Sequence, residues 1–341
     1  MPRRPVSPFR AIAAAALVAA GLGACSSGDG DRLTIYSGRQ EELIRPLLED
    51  FSDETGIGID VRYGDSADLA LLINEEGDRS PADIYLSQAP GAVGFLDSKE
   101  RLRELPASVL EKVAPRFRAA DGDWVGVSGR VRVLVYNTEL VDPADLPASV
   151  FDLTQGQYRG QVGVAPTNAS FQDFVTAMRE LVGDGRTLEW LEGMKANDAR
   201  AYANNIAIVE AVGRGEIPFG IVNHYYNEEA KAENPDVPSA NYLFPAGDLG
   251  SLVLVTAVGV LDTADDPRDA ERFVEFLLSK QAQKFYAAQT LEYPLAAGVA
   301  PVVEDLPPLE EIQSPQLDLS SLGGQLEKTK ELIERSGLEQ S

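Results

Sequence analysis

Residues 33–63, LTIYSGRQEELIRPLLEDFSDETGIGIDVRY, contain a complete strand–helix–strand unit. The apolar run at 33–36 is typical of a buried strand, and residues 40–55 carry apolar side chains at helical spacing before Gly56 ends the pattern. Alternating residues at 59–63 predict the second strand. A strand, an amphipathic helix and a strand in succession predict an α/β fold.

The same alternation continues further along the chain. We predict a helix at Ser66–Glu76, a strand at Ala82–Ser87 and a long extended segment at Trp124–Tyr136. Residues Leu252–Leu261 are almost wholly apolar and predict another strand. Two strands of this length could each carry the chain from one lobe of a two-lobed protein to the other. The predicted fold is therefore a two-lobed α/β clamshell with its ligand between the lobes.

The crossings set the predicted domain boundaries. Lobe 1 is expected to comprise residues 32–130 and 257–305, and lobe 2 residues 131–256 and 306–341. The chain of 341 residues, of which 44% are hydrophobic, is long enough for two domains of ordinary size.

The N-terminus predicts export and lipid anchoring. Residues 1–24 combine three arginines with an apolar stretch too short for a permanent membrane span, which is typical of a signal peptide. Its end, Leu22-Gly23-Ala24-Cys25, resembles a bacterial lipobox, and Cys25 is the only cysteine of the chain. Residues 25–31 are rich in Ser, Gly and Asp and predict a flexible tether. We expect a protein anchored through lipid on Cys25 to the extracytoplasmic face of the cell membrane.

Charge and motifs exclude several function classes. The net charge of −24 repels nucleic acid, and loss of the basic leader makes the mature chain more negative still. The sequence holds no Walker loop, no His-Glu-x-x-His and no complete Gly-x-Ser-x-Gly, and His224 is its only histidine. We therefore predict a monomeric binding protein that is not an enzyme.

Two adjacent tyrosines stand at a predicted strand-to-helix junction. The apolar run Ile217–Val222 leads through Asn223 and His224 to Tyr225 and Tyr226. Neighbouring side chains in the first turn of a helix are about 100° apart, so both hydroxyls can reach one ion. Phenolate oxygens are hard donors suited to a hard trivalent metal. The alternative is an aromatic pair packed on a core or an interface.

Six short segments resemble, in order, those of the ferric-iron-binding proteins of the ABC-importer solute-binding family. The segments are Leu33–Gln40, Glu76–Asp83, Ser128–Val133, Tyr202–Asn205, Asn223–Tyr226 and Glu292–Leu295. The resemblance implies a type II periplasmic-binding fold and delivery of Fe³⁺ to an ABC permease and its ATPase. It also implies that Tyr225 and Tyr226 are phenolate ligands to the iron, with a carbonate or phosphate anion completing the site.

The resemblance implies further site residues, and at two positions this chain differs from many relatives. Gln40 and Gln88 stand where many relatives have histidine and glutamate, and each either contacts metal-bound water or caps local backbone. The candidates for the anion contact are Arg39, Arg130, Asn168, Ala169, Ser170, Asn205 and Asn223. For Arg130 an ion pair is the alternative, and for the two asparagines at 205 and 223 it is helix capping or a turn. We interpret His224 as structural.

Three functions remain open on the sequence. The first is the lipid-anchored iron(III)-binding component of an ABC importer. The second is a binding protein for another small ligand, such as a ferric chelate, a phosphorylated or carboxylate compound, or a polyamine, which the two glutamines favour. The third is a sensor or interaction lipoprotein that transports nothing.

Overall fold

The computed structural model describes residues 32–302 and 306–340. The predicted signal peptide, the tether and Cys25 lie outside these residues. Within the described ranges, no helix combines the length and the apolar character needed to cross a bilayer.

Strands and helices alternate along the chain as the sequence predicts. The strands are β1 (Arg32–Ser37), β2 (Gly58–Tyr63), β3 (Ile84–Ser87), β4 (Leu102–Arg103), β5 (Trp124–Asn137), β6 (Val162–Val164), β7 (Arg200–Ala201), β8 (Phe219–Asn223), β9 (Ser239–Tyr242), β10 (Val253–Leu261) and β11 (Tyr293–Pro294). The helices are α1 (Glu41–Thr55), α2 (Ser66–Glu76), α3 (Pro90–Asp97), α4 (Ala107–Leu110), α5 (Ala169–Ala196), α6 (Asn205–Gly213), α7 (His224–Glu233), α8 (Pro267–Leu277), α9 (Lys280–Gln289) and α10 (Leu326–Ser336). Short 3-10 turns connect several of them.

Local sequence explains the limits of several elements. Asp65 caps α2 by accepting hydrogen bonds from the backbone of its first turn, and Gly56 ends α1 in a left-handed conformation. α5 consists of two helical segments that meet at Gly183, where φ is 83° and ψ is 159° and the backbone is therefore not helical. β8 begins at Phe219 rather than Ile217, since Pro218 has no N–H to donate to a neighbouring strand.

One long strand joins two sets of strands. The sheet order is β2-β1-β3-β10-β5-β8-β6-β7. The first half of β5 pairs with β10, with Val131 opposite Val253, and with β11. Its second half pairs with β8, with Arg132 opposite Asn223, and with β9. β5 therefore passes from one half of the molecule to the other between residues 131 and 132.

The C-terminal strap, residues 306–325, is a further connection between the halves. The hydroxyl of Tyr293 donates to the Pro307 carbonyl at 2.9 Å, and Trp124 Nε1 donates to Ser320 Oγ at 3.1 Å. After the strap, α10 packs against α5. There Arg179 Nη1 donates to the carbonyl of Gln325 at 3.0 Å. The strap thus contacts the first half before α10 packs on the second. The division into lobe 1 (residues 32–130 and 257–305) and lobe 2 (residues 131–256 and 306–341) stays a prediction.

Candidate functional site

The two tyrosines lie side by side at the start of α7. The ring centroids of Tyr225 and Tyr226 are 4.3 Å apart and their planes meet at 35°. Burial, followed by the adjacent Tyr226, raises the pKa of Tyr225 well above its usual value. The hydroxyl of Tyr225 is therefore protonated in the empty protein. A cation of high charge would reverse this preference, because it stabilises the phenolate.

His224 faces β5 and has a structural role. Its ring is fully buried, and Nδ1 accepts a hydrogen bond from the N–H of Val131 at 3.3 Å. The ring lies 5.0 Å from that of Tyr293. Burial lowers the pKa of His224 to about 4, so the imidazole is neutral. This contact attaches the start of α7 to the residue of β5 that precedes the crossing.

Arg39 is paired with a carboxylate that the sequence did not single out as a site residue. Its Nη2 lies 2.6 Å from Glu292 Oε2, and its Nη1 lies 3.2 Å from Glu292 Oε1. Nη1 also donates to Gln88 and Thr256 at 3.2 Å. Burial opposes the charge of Arg39, but Glu292 more than offsets it and raises the pKa of Arg39. The charge of this arginine is therefore balanced inside the protein.

Two other arginines carry free donors. Arg130 and Arg132 alternate along β5, so their side chains leave the same face of the strand. Arg130 Nη2 lies 3.4 Å from Asp173 Oδ2, and Arg132 Nη2 donates to the Ser170 carbonyl at 2.6 Å. Both arginines are 3% exposed, yet Nη1 of each has no hydrogen-bond partner among the residues that the structure describes. Burial, with the neighbouring Arg130, lowers the pKa of Arg132 to about 10. Two buried guanidinium groups with unused donors suit an anion.

The polar residues predicted for the anion contact meet at the N-terminus of α5. Asn168 precedes Ala169, the first residue of the helix, and accepts hydrogen bonds from the N–H and the hydroxyl of Ser170 at 3.0 and 2.7 Å. Asn205 donates to Asn168 Oδ1 and to Ser170 Oγ at 3.1 and 3.0 Å. Oδ1 of Asn205 and Nδ2 of Asn223 have no hydrogen-bond partner within residues 32–302 and 306–340. A helix N-terminus also attracts negative charge.

The two glutamines are not used as backbone caps. Gln40 stands at the N-cap position of α1, is exposed, and makes no capping hydrogen bond through its side chain. The Oε1 of Gln88 accepts from Arg39. A cavity of about 600 Å³ opens beside Gln40, lined by Gly38, Arg39, Gln40, Glu41, Glu42, Tyr63 and Gly64. The side chain of Gln40 therefore faces open space.

Sequence reasoning missed Arg132 and Glu292 as parts of this site. The alternation of Arg130 and Arg132 along a strand was the available signal for the first. Glu292 stood only within a segment that carried the family resemblance, and its pairing with Arg39 spans a separation of 253 residues. No local pattern predicts such a contact.

A family model matches the greater part of the chain. Residues 79–319 match the model described as bacterial extracellular solute-binding protein. The chain belongs to this solute-binding protein family. Structures related to this solute-binding protein confirm the predicted two-lobed α/β fold. The iron-bound HitA of Pseudomonas aeruginosa superposes with a TM-score of 0.82 at 34% identity, covering 90% of this chain and 100% of that one. A Trichodesmium protein in complex with iron and citrate gives a TM-score of 0.78 at 26% identity, covering 90% and 99%.

Curated relatives of the solute-binding protein carry related names. The Fe(3+)-binding periplasmic protein of Serratia marcescens is 31% identical over 98% of both chains. The major ferric iron-binding protein of Neisseria meningitidis serogroup B is 32% identical over 95% of this chain and 98% of its own length. The family and these relatives agree with the resemblance predicted from the six sequence segments.

Proposed function

We propose that this chain is the substrate-binding component of an iron(III) ABC importer. In this proposal the phenolates of Tyr225 and Tyr226 bind Fe³⁺ between the lobes, and an exogenous anion completes the site. The observation that carries it is the pair of tyrosine rings, 4.3 Å apart, at the start of α7. Relatives that bind ferric iron support it.

The charges around the tyrosines support a bound anion. Two phenolates reduce the charge of Fe³⁺ to +1, and carbonate or phosphate would complete the balance. Arg39 is already paired with Glu292. The proposed donors for this anion are therefore the free Nη1 atoms of Arg130 and Arg132 and the backbone N–H groups at the N-terminus of α5. Asn205 and Asn223 border the same region and each has an unpartnered side-chain atom. In this proposal Arg39 acts indirectly, by holding Glu292 and Gln88 in place.

Delivery follows from the proposed location. The lipid on Cys25 would hold the monomeric protein at the extracytoplasmic face of the membrane, where a permease and its ATPase would receive the iron. Closure and opening of the lobes would load and release it. Labelling cells with a fatty-acid probe tests the anchor, because Cys25→Ala should abolish incorporation of lipid into this protein.

Titration of the iron-stripped protein with ferric citrate tests the iron site. We expect a visible absorption band from phenolate-to-iron charge transfer that disappears when Tyr225→Phe and Tyr226→Phe are combined. Tyr136→Phe is the matched control, since Tyr136 lies about 13 Å further along β5 from Arg132. No band in the wild type, or a band that survives the double substitution, would refute the proposal.

A ferric chelate is a second candidate for the cargo. The observation that favours it is the pair of neutral glutamines at 40 and 88, which supply no charge to a bare ferric ion. Native mass spectrometry after loading with ferric citrate distinguishes the two. Retention of the mass of citrate indicates a chelate, whereas iron with carbonate or phosphate alone excludes it.

A further inference from the structure

Glu229 shares a face of α7 with both tyrosines. At 100° per residue, Glu229 projects about 40° from Tyr225 and about 60° from Tyr226, so it lies between them when viewed along the helix. Helical side chains lean toward the N-terminus and cover the preceding turn. The side chain of Glu229 therefore leans back over the turn that contains Tyr225 and Tyr226.

The environment of Glu229 differs from that of the other acids of the helix. Glu229 is half-buried, and within residues 32–302 and 306–340 its carboxylate makes no hydrogen bond or ion pair. The adjacent Glu228 accepts a hydrogen bond from Asn241 at 2.6 Å. Glu233 is exposed to water. A carboxylate that is partly removed from water and has no partner among the described residues is available to a cation.

The surroundings favour a cation beside Glu229. Burial, followed by the negative charge of Glu292, raises the pKa of Glu229 to about 7. Arg39 is paired with Glu292, and no ion pair within the described residues joins a basic side chain to Glu229. The site thus holds a carboxylate without a positive partner, one helical turn from two phenols that also gain from a cation.

We propose that the carboxylate of Glu229 is a third anionic donor to the ferric ion. This inference rests on the proposed function. Hard carboxylate oxygens suit Fe³⁺ as phenolates do, and the neutral Gln40 and Gln88 supply no charge. Tyr225, Tyr226 and Glu229 would together supply three negative charges to the ferric ion, and the charge of the proposed exogenous anion would then be balanced by Arg130 and Arg132. One helix, α7, then provides the anionic ligands that come from the protein.

Glu229→Gln tests this role because it keeps the size of the side chain and removes its charge. We expect the ferric affinity, measured by competition with citrate in buffer depleted of carbonate and phosphate, to fall by at least about 10-fold. Added carbonate should restore part of the loss. The charge-transfer band should move to longer wavelength, since iron with fewer anionic donors accepts phenolate electron density more readily. Glu233→Gln, one turn further along α7, is the matched control with the same charge change.

The outcomes separate this inference from the proposed function. An affinity, an anion dependence and a band position in Glu229→Gln that equal those of Glu233→Gln would overturn the role of Glu229. The proposed function would still hold if the band disappears in the tyrosine double variant. Absence of a ferric band in the wild type would overturn both. Circular dichroism and the urea midpoint establish that each variant is folded.

Discussion

Arg39 and Glu292 form a buried ion pair between residues far apart in the chain. The side chains are 0% and 2% exposed, and Nη2 lies 2.6 Å from Oε2. Ser128 and Thr290 donate further hydrogen bonds to the same carboxylate. The pair fixes the start of α1 against β5 and the segment before β11. It also removes a positive charge that would otherwise be available to an anion.

Removing one partner of this pair should be costly. Glu292→Gln leaves Arg39 buried without a counter-charge, so we expect the free energy of unfolding to fall by about 3–5 kcal/mol in urea. Combining Arg39→Met with Glu292→Leu should recover most of the loss. The control is Glu210→Gln, which breaks the exposed pair with Arg214 and should cost less than about 1 kcal/mol. A loss in Glu292→Gln no larger than the control would contradict the prediction.

His224 should make the empty protein less stable in mild acid. The unfolded chain binds the imidazole proton below about pH 6.5, whereas the folded protein binds it only below about pH 4. Stability therefore falls as pH decreases through this window. Between pH 7.5 and 4.5 the wild type should lose about 2–3 kcal/mol more unfolding free energy than His224→Asn. Equal losses in both proteins would show that His224 is protonated in the fold.

Gly94 should be needed for the C-terminal strap. A Cβ at Gly94 would lie 2.6 Å from the Ser320 carbonyl oxygen, so alanine there must displace the strap. We expect Gly94→Ala to lower the free energy of unfolding by about 1–3 kcal/mol. Gly185→Ala is the control, because its Cβ would meet nothing within 4 Å and alanine favours a helix. Thermal unfolding of both variants checks this, and equal melting temperatures would refute it.

Arg132 should govern the dependence of iron binding on the anion. If the proposed function holds, Arg132→Gln removes a donor beside the α5 N-terminus but leaves both phenolates in place. The charge-transfer band should persist, while the gain in ferric affinity on adding carbonate should fall by about 10-fold. Arg159→Gln, at an exposed pair with Asp198, should keep the full gain. An unchanged gain in Arg132→Gln would exclude this arginine from the anion site.

The local structure was largely predictable from the sequence. The limits predicted for α2 are those observed, since apolar spacing, the Asp65 cap and Gly77 all act within a few residues. The strand and helix that flank the tyrosines were also predicted, with β8 displaced by Pro218. These elements depend on residues that are close together in the chain, so the local sequence pattern is enough to predict them.

The arrangement of the site was predictable only in part. The structure brings Asn168, Ser170 and Asn205 together, as expected for residues at neighbouring strand and helix ends. It pairs Arg39 with Glu292 instead of leaving it open to solvent. Such pairings depend on how distant segments pack. The sequence pattern of one segment does not show which other segment it contacts.

The position of β10 has a consequence for the order in which the protein can fold. β10 lies between β3 and β5, although it follows both in the chain by more than a hundred residues. A nascent polypeptide that ends near Asn137 lacks β10, the strand that pairs with both β3 and β5, and should remain unfolded. Translation must continue for roughly ten seconds more before residues 253–261 are made. Throughout that interval the growing chain is available to chaperones and to any machinery that needs an unfolded substrate.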